Sequence, residues 1–138
     1  MREKSEEMNE KLELREICRE LYRKGVPQER LNAMLSEEDR FLRALEAVKN
    51  GKVKKYVFKP SGKVIWIVVG KKREYIVLPN VSFCSCDDYY YRIMNEEVSL
   101  CYHLIACWIA EATGEFDLIE EEDSFYDFLL SDWKKQTP

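Results

Sequence analysis

Apolar residues over the first fifty positions recur at helical spacing. Met8, Leu14, Ile17, Cys18, Leu21 and Tyr22 line one side of a highly charged stretch over residues 2–24, which predicts an amphipathic helix with a narrow apolar stripe. Gly25, Val26 and Pro27 stop it. A short helix is expected from Gln28 to Leu35. Ser36 to Asp39 then fit a variant capping box, with Ser36 as N-cap and an acid at the third helical position. The helix they open runs to Asn50, with Phe41, Leu42, Leu45 and Val48 on one face and Asn50–Gly51 as its C-terminal cap.

The period then changes. Val53 to Phe58 interleaves β-branched and aromatic residues with lysine, and Pro60, Ser61 and Gly62 signal a turn. Val64 to Val69 is a continuous apolar run, expected as a strand covered on both faces. Gly70 to Lys72 is a second turn, Glu74 to Leu78 a third strand, and Pro79–Asn80 an end signal. Short turns predict an antiparallel three-stranded meander. A short helix is expected over residues 87–98, opened by Asp87 or Asp88. Another is expected over 102–113, with Ile105, Trp108, Ile109 and Ala112 inward and Gly114 just past its end. Asp123 to Lys135 reads as an acidic helix with Phe125, Phe128, Leu129 and Trp133 on one side. The class is α+β: helices, a meander, and a closing helix. The charged helix or arm at 1–26 precedes a single domain at 27–138.

Length and composition keep that picture and narrow the setting. At 138 residues, 46% hydrophobic and 35% charged, the chain suits one compact domain with a real core, and global disorder is not expected. The longest apolar run, Val64–Val69, is far too short for a membrane span. The N-terminus is too charged for a secretory signal, so a reducing cytosol is expected. Five cysteines there are thiols or metal ligands rather than a disulfide framework, and the odd count points the same way.

Charge is distributed unevenly. Lys49 to Arg73 holds nine basic residues and no acid, while Glu111 to Trp133 holds nine acids and no base. One account places lysines on the solvent side of a sheet and acids on the solvent side of a helix. The other makes Lys52, Lys54, Lys55, Lys63, Lys71, Lys72 and Arg73 a surface for a polyanion, with Phe125, Phe128, Leu129 and Trp133 as a partner-binding face. A net charge of −4 argues against strong nucleic-acid binding by the chain alone. The aromatic face of the last helix is equally explained by packing onto its own domain. Tyr89, Tyr90 and Tyr91 cannot share one helix face, so at least one is exposed and available to stack on a base.

The chemistry is concentrated in Cys84, Cys86, Cys101 and His103, spaced C-x-C, fourteen residues, C-x-H. Three thiolates and an imidazole are a complete tetrahedral Zn²⁺ set. Cysteines two apart on an extended segment point the same way, so both sulfurs reach one ion. Two residues inside a helix diverge by about 200°, so Cys101 must sit at the helix entrance with His103 in the first turn. Four protein ligands leave no position for water, which makes the site structural. The competing account is unrelated core cysteines and a surface histidine. Cys107 and Cys18 are expected as packing residues, and Arg73 and Arg92 as balancing charges near the site.

This pattern, following an apolar hairpin and entering a helix, resembles the SWIM zinc-binding domain. Ala106 resembles the C-x-H-x-x-A extension of the SWIM subunit of Shu-type recombination complexes. Lys59 to Gly70, Lys72 to Leu78 and Leu31 to Ala47 resemble the flanking elements of that subfamily. The resemblance spans roughly residues 30 to 133 and implies a ββα zinc module that binds DNA or protein and is not an enzyme. It implies a RecA-type recombinase paralogue, an ATPase, as partner. It implies promotion of recombinase assembly on single-stranded DNA in recombination and repair, and a cytoplasmic, nucleoid-associated location. The composition is compatible with an archaeal version. The chain has no G-x-x-x-x-G-K-[ST] loop, so the partner would bind ATP. The alternative is an autonomous DNA-binding zinc-finger regulator. A nucleobase deaminase would need H-x-E near P-C-x-x-C, and neither is present. A thiol redox sensor using Cys84 and Cys86 is a further rival.

Overall fold

A computed structural model describes residues 15–29, 31–32, 38–79, 83–86 and 101–135. The expected helix over 87–98, Ser36, Arg92 and the tyrosine triplet lie outside the described residues. Helical backbone at 15–23 (α1) is followed by helical residues at 28–29 and 31–32. Then come α2 (Glu38–Lys49), β1 (Val53–Lys59), β2 (Lys63–Val69), β3 (Glu74–Leu78) and β4 (Phe83–Cys84). The chain continues through α3 (Tyr102–Thr113), β5 (Asp117–Glu122), a 3₁₀ turn (Asp123–Phe125) and α4 (Tyr126–Lys135).

The expected meander is present and is the centre of a larger, five-stranded sheet in the order β4-β3-β2-β1-β5. β1, β2, β3 and β4 pair antiparallel in sequence. β5 was not expected. It lies parallel to β1, with Lys54 opposite Asp117 and Lys59 opposite Glu122. The basic run and the acidic run of the sequence are therefore neighbouring strands, and Lys59 Nζ lies 3.1 Å from Glu120 Oε1. Most of the acids before Asp123 sit on a strand, not on the solvent face of a helix.

Two layers of helix cover the sheet. Ile65 to Val68 are all buried because the strand is covered on both faces. On one face, Trp66, Val68, Val77 and Cys84 meet α3, whose residues from His103 to Ala110 are all buried. A helix apolar all round belongs at the centre of a core. α2 packs on it through Phe41, Ala44, Leu45 and Val48, and α1 through Ile17 and Leu21. Lys24 donates from Nζ to the carbonyls of Glu111 and Ala112 at 2.9 and 3.2 Å. A cation is thus set at the negative end of the α3 dipole. Gly114 closes that helix at φ +75°, donating its N–H to Ala110 at 2.8 Å.

On the other face, Phe58, Ile65, Ile67 and Ile76 meet α4. Trp133 is the anchor, edge-on to Tyr56 at 4.8 Å between centroids, and Tyr126 meets Phe58 at 5.0 Å. The β1–β2 turn is tied to the 3₁₀ turn that leads into this helix. Ser61 donates from its backbone N–H and its hydroxyl to the Asp123 carboxylate at 3.0 and 2.6 Å. Among the described residues, no helix is long and apolar enough to cross a membrane.

Candidate metal centre

The sheet supplies two of the donors. Cys84 ends β4 opposite Val77, on the face toward α3. Ser85 is held from both sides: its N–H donates to the Ile76 carbonyl, and its hydroxyl accepts the Ile76 N–H, each at 3.0 Å. That double clamp presses the Cys-Ser-Cys segment onto β3 and turns both thiols the same way, as the spacing of two requires.

The helix supplies the others. Cys101 is the N-cap residue of α3, with extended backbone at φ −68° and ψ 155°, and His103 lies in the first turn. No side chain caps this end. One of the open N–H groups of the first turn, that of Leu104, bonds to the Cys101 sulfur.

The donor atoms of Cys84, Cys86, Cys101 and His103 lie within 4.8 Å of one another, and all four residues are buried. Ligands on a tetrahedral zinc are about 3.8 Å apart at the bond lengths zinc prefers, so little contraction is needed. The imidazole is the sharper test. Neither Nδ1 nor Nε2 of His103 has a hydrogen-bond partner among the described residues, although both are buried. A buried, unpaired imidazole is costly, and a metal bond to one nitrogen would remove part of that cost. The thiols agree. Hydrogen bonding to Cys101 and Cys86, then burial, pushes the Cys84 thiol far up. Three thiols in contact, held neutral without a charge to stabilise them, are a poor ground state that a divalent cation converts to thiolates. The residues present fit Zn²⁺, with all four positions filled by protein.

Aromatic rings and arginines frame the opening. His103 lies between Tyr75 and Tyr102, at 4.2 and 3.9 Å between centroids. Arg43 sits over Tyr102 at 4.4 Å and Arg73 over Tyr75 at 5.5 Å. Arg40 and Arg43 line the cavity of about 340 Å³ above Cys86, Cys101 and His103. Three thiolates, one neutral imidazole and Zn²⁺ sum to about −1, and these arginines complement it. Arg73 was anticipated. Arg40, Arg43 and Tyr75 were not, because they reach the site from α2 and β3; Tyr102 was legible as the residue between two ligands. Gly70 leaves room for the Tyr75 ring, since a Cβ there would stand 2.7 Å from Cε2.

Cys107 is fully buried in the core and outside the four-donor cluster, with its thiol pushed up by burial. Cys18 is half-buried against the same core. The basic candidates do not share one face. Lys52 lies beside β2, its carbonyl accepting from Val69 at 2.9 Å, so it shares one end of the sheet with Lys71, Lys72 and Arg73. Lys63 is at the other end, over Tyr126 at 4.4 Å. Lys54 and Lys55 are adjacent on β1 and point to opposite faces, Lys55 lying 5.3 Å over Trp66. Of the four partner-face candidates, Phe125 lies in the 3₁₀ turn before α4 and not on the helix expected from Asp123; Trp133 is buried and Leu129 packs in the same cluster, while Phe125 and Phe128 are exposed.

No protein-family model matches the chain. A SWIM relative does: the zinc finger SWIM domain-containing protein 7 homolog of Dictyostelium discoideum is 32% identical over 85 residues, covering 60% of this chain. The chain spans about half the length of that protein, 54%. An uncharacterized protein of Archaeoglobus fulgidus is 37% identical over 93 residues, covering 67% of this chain and 70% of that one. The chain therefore belongs to one family with the archaeal protein, and its likeness to a SWIM protein together with its buried Cys₃His cluster supports a SWIM-like zinc-binding domain.

Proposed function

We propose that this chain is a zinc-stabilised adaptor that partners a RecA-type recombinase paralogue. The pair would promote recombinase assembly on single-stranded DNA in homologous recombination and repair. The observation that carries this reading is the closed coordination set. Four buried protein donors leave the metal no position for water or substrate, so it holds structure and does no catalysis. The likeness to a SWIM protein supports the domain type. In this reading Zn²⁺ supplies a fixed charge and a crosslink between β4 and α3. Cys84 and Cys86 hold the sheet side, Cys101 and His103 orient the helix, and Arg40 and Arg43 complement the anionic centre.

The scatter of lysines favours an adaptor over an autonomous DNA-binding regulator. Affinity for nucleic acid follows the number of phosphates neutralised together. Here Lys52, Lys71 and Lys72 stand at the opposite end of the sheet from Lys63, and β1 lies against the acids of β5. The partner would supply the ATP site and most of the DNA contact.

The test is to co-purify the tagged protein from its native cells, identify what accompanies it, and measure (dT)₃₀ binding by anisotropy with and without that protein. A recombinase-type ATPase with tight binding only in the pair is expected. Tight, steeply salt-dependent binding by the isolated chain would instead establish the regulator.

A further inference from the structure

A hydrogen bond usually sets the ring of a metal-binding histidine. The nitrogen that is not a ligand donates to a carboxylate, a carbonyl or water, which fixes the tautomer and the ring orientation. Neither nitrogen of His103 has a hydrogen-bond partner among the described residues. Its faces are occupied instead. Tyr102 lies 3.9 Å away between centroids with 37° between the planes, and Tyr75 lies 4.2 Å away with 36°. Two rings so close and so nearly parallel to a third cannot share one of its faces, so they hold opposite faces. Each tyrosine is met in turn by an arginine, Arg43 at 4.4 Å from the Tyr102 ring and Arg73 at 5.5 Å from the Tyr75 ring.

An imidazole bonds a metal along a lone pair in the plane of its ring. Rotation about Cβ–Cγ swings that lone pair away from the ion, and the torsion of a histidine ring is only broadly set by its own chain. Contacts on both faces block this rotation and leave the edge free, where both nitrogens lie. Cations over the two phenol rings hold those rings in turn. The clamp also depends on a residue outside it. A Cβ at Gly70 would stand 2.7 Å from Tyr75 Cε2 and 3.0 Å from the Arg73 carbonyl oxygen, so the Tyr75 ring keeps its place because residue 70 has no side chain.

We propose that Tyr75 and Tyr102 are positioning residues of the metal centre, which grip the two faces of His103 and aim its edge at the three sulfurs. The clamp takes the part that a hydrogen bond plays at other sites. A tyrosine that only filled the core would set stability and leave the imidazole alone. The inference rests on the Cys₃His centre taking Zn²⁺ and needs no partner protein or DNA.

His103 is the only histidine of the chain, so its imidazole signals need no assignment. Long-range ¹H–¹⁵N spectra of the zinc-loaded full chain should show one metal-bound and one protonated nitrogen in a single tautomer. Tyr75→Leu keeps apolar bulk and loses the flat face. It should broaden or average these signals and weaken zinc binding about 10- to 100-fold in chelator competition, the range for a lost orienting partner. Tyr102→Leu should do the same, and Tyr75→Phe should restore both readouts. Gly70→Ala changes neither a ligand nor a tyrosine, yet should shift the same signals by displacing the Tyr75 ring, and it decides the matter if Tyr75→Leu does not fold. Ile67→Val, in the cluster on the other face of the sheet, should lower the melting temperature and leave the signals and the affinity as in the wild type. Wild-type imidazole signals and affinity in Tyr75→Leu, or in Gly70→Ala, overturn the proposal. So does a Tyr75→Phe variant as damaged as Tyr75→Leu, because the hydroxyl and not the ring face would then be responsible. A wild-type chain that holds zinc while His103 stays unbound overturns the clamp alone. A wild type shown by elemental analysis to bind no zinc overturns the metal centre and the clamp together.

Discussion

Ser85 shows how much of the metal centre depends on a residue that is not a ligand. Its hydroxyl accepts the Ile76 N–H, and its own N–H returns to the Ile76 carbonyl. Replacing Ser85 by Ala strands a mostly buried backbone donor, at a cost of about 1–3 kcal/mol. Because the clamp orients Cys84 and Cys86, metal affinity should fall by about 10- to 100-fold, the range for lost orienting partners. Chelator competition against a chromogenic zinc indicator measures the second effect and thermal unfolding the first. Ligand loss is more severe. Cys84→Ser or His103→Ala should remove tight zinc binding altogether, read by elemental analysis. The surviving thiols would then lie crowded together with no cation to stabilise them. Arg43 belongs to the same scale: it stands over Tyr102, which stacks on His103, and so complements the centre without touching the metal.

At the scale of elements, α4 is divided between anchoring and exposure. Trp133 is 2% exposed, while Phe128 is 69% exposed. Trp133→Ala should therefore cost about 3–5 kcal/mol through the cavity left against Tyr56 and Ile67. Phe128→Ser should move stability by about 0.5 kcal/mol or less, since surface changes away from special features are small. Urea denaturation of the zinc-loaded variants separates the two. The one-sided reading of this helix, with four residues as a single face, was half an account. Helical periodicity shows which residues share a side, and the sheet's extent decides how many of them it can cover. β5 makes a similar point. Asp117, Leu118, Ile119 and three glutamates have weak strand propensity, and no local signal announces a strand there. It forms because β1 has a free edge lined with Lys54, Lys55 and Lys59, and those carboxylates complement it across the register.

For the whole molecule, a bound Zn²⁺ would join the sheet to the central helix, so its removal should propagate. Structural zinc in small fingers is worth about 10–16 kcal/mol at neutral pH, and if the value here is similar the loss is large against ordinary domain stability. EDTA should strip protection from hydrogen exchange in β3, β4 and the first turns of α3. Unchanged protection after confirmed zinc loss would contradict the structural role. The pH response should reverse sign with the metal. In the metal-free fold, Cys84, Cys101 and Cys107 hold their protons above the ordinary thiol value of 9.0, Cys101 at about 12. Below pH 9 folded and unfolded thiols are both neutral and that contribution to stability is intact. As pH rises from 9 toward 12 the unfolded chain ionises first, and metal-free stability falls. With zinc bound the folded ligands are deprotonated, so stability falls instead as pH drops and protons compete for sulfur and imidazole. Melting curves at pH 5.5, 7.5 and 10, with zinc and with EDTA, test both arms.

The four-donor cluster was legible from spacing alone, because two residues on a strand and a donor on each side of a helix entrance are local geometric conditions. The hairpin, the buried central strand and α2 were legible for the same reason: each is written in the period of its own apolar residues. What the tertiary structure decided is everything that depends on two distant segments meeting. Arg40 and Arg43 reach the cavity beside the four donors from α2, some forty to sixty residues earlier in the chain. The acidic run became a strand only because a basic edge was there to receive it. Local pattern encodes which face of an element is apolar. Which other element covers that face, and how completely, is settled by packing across the whole chain.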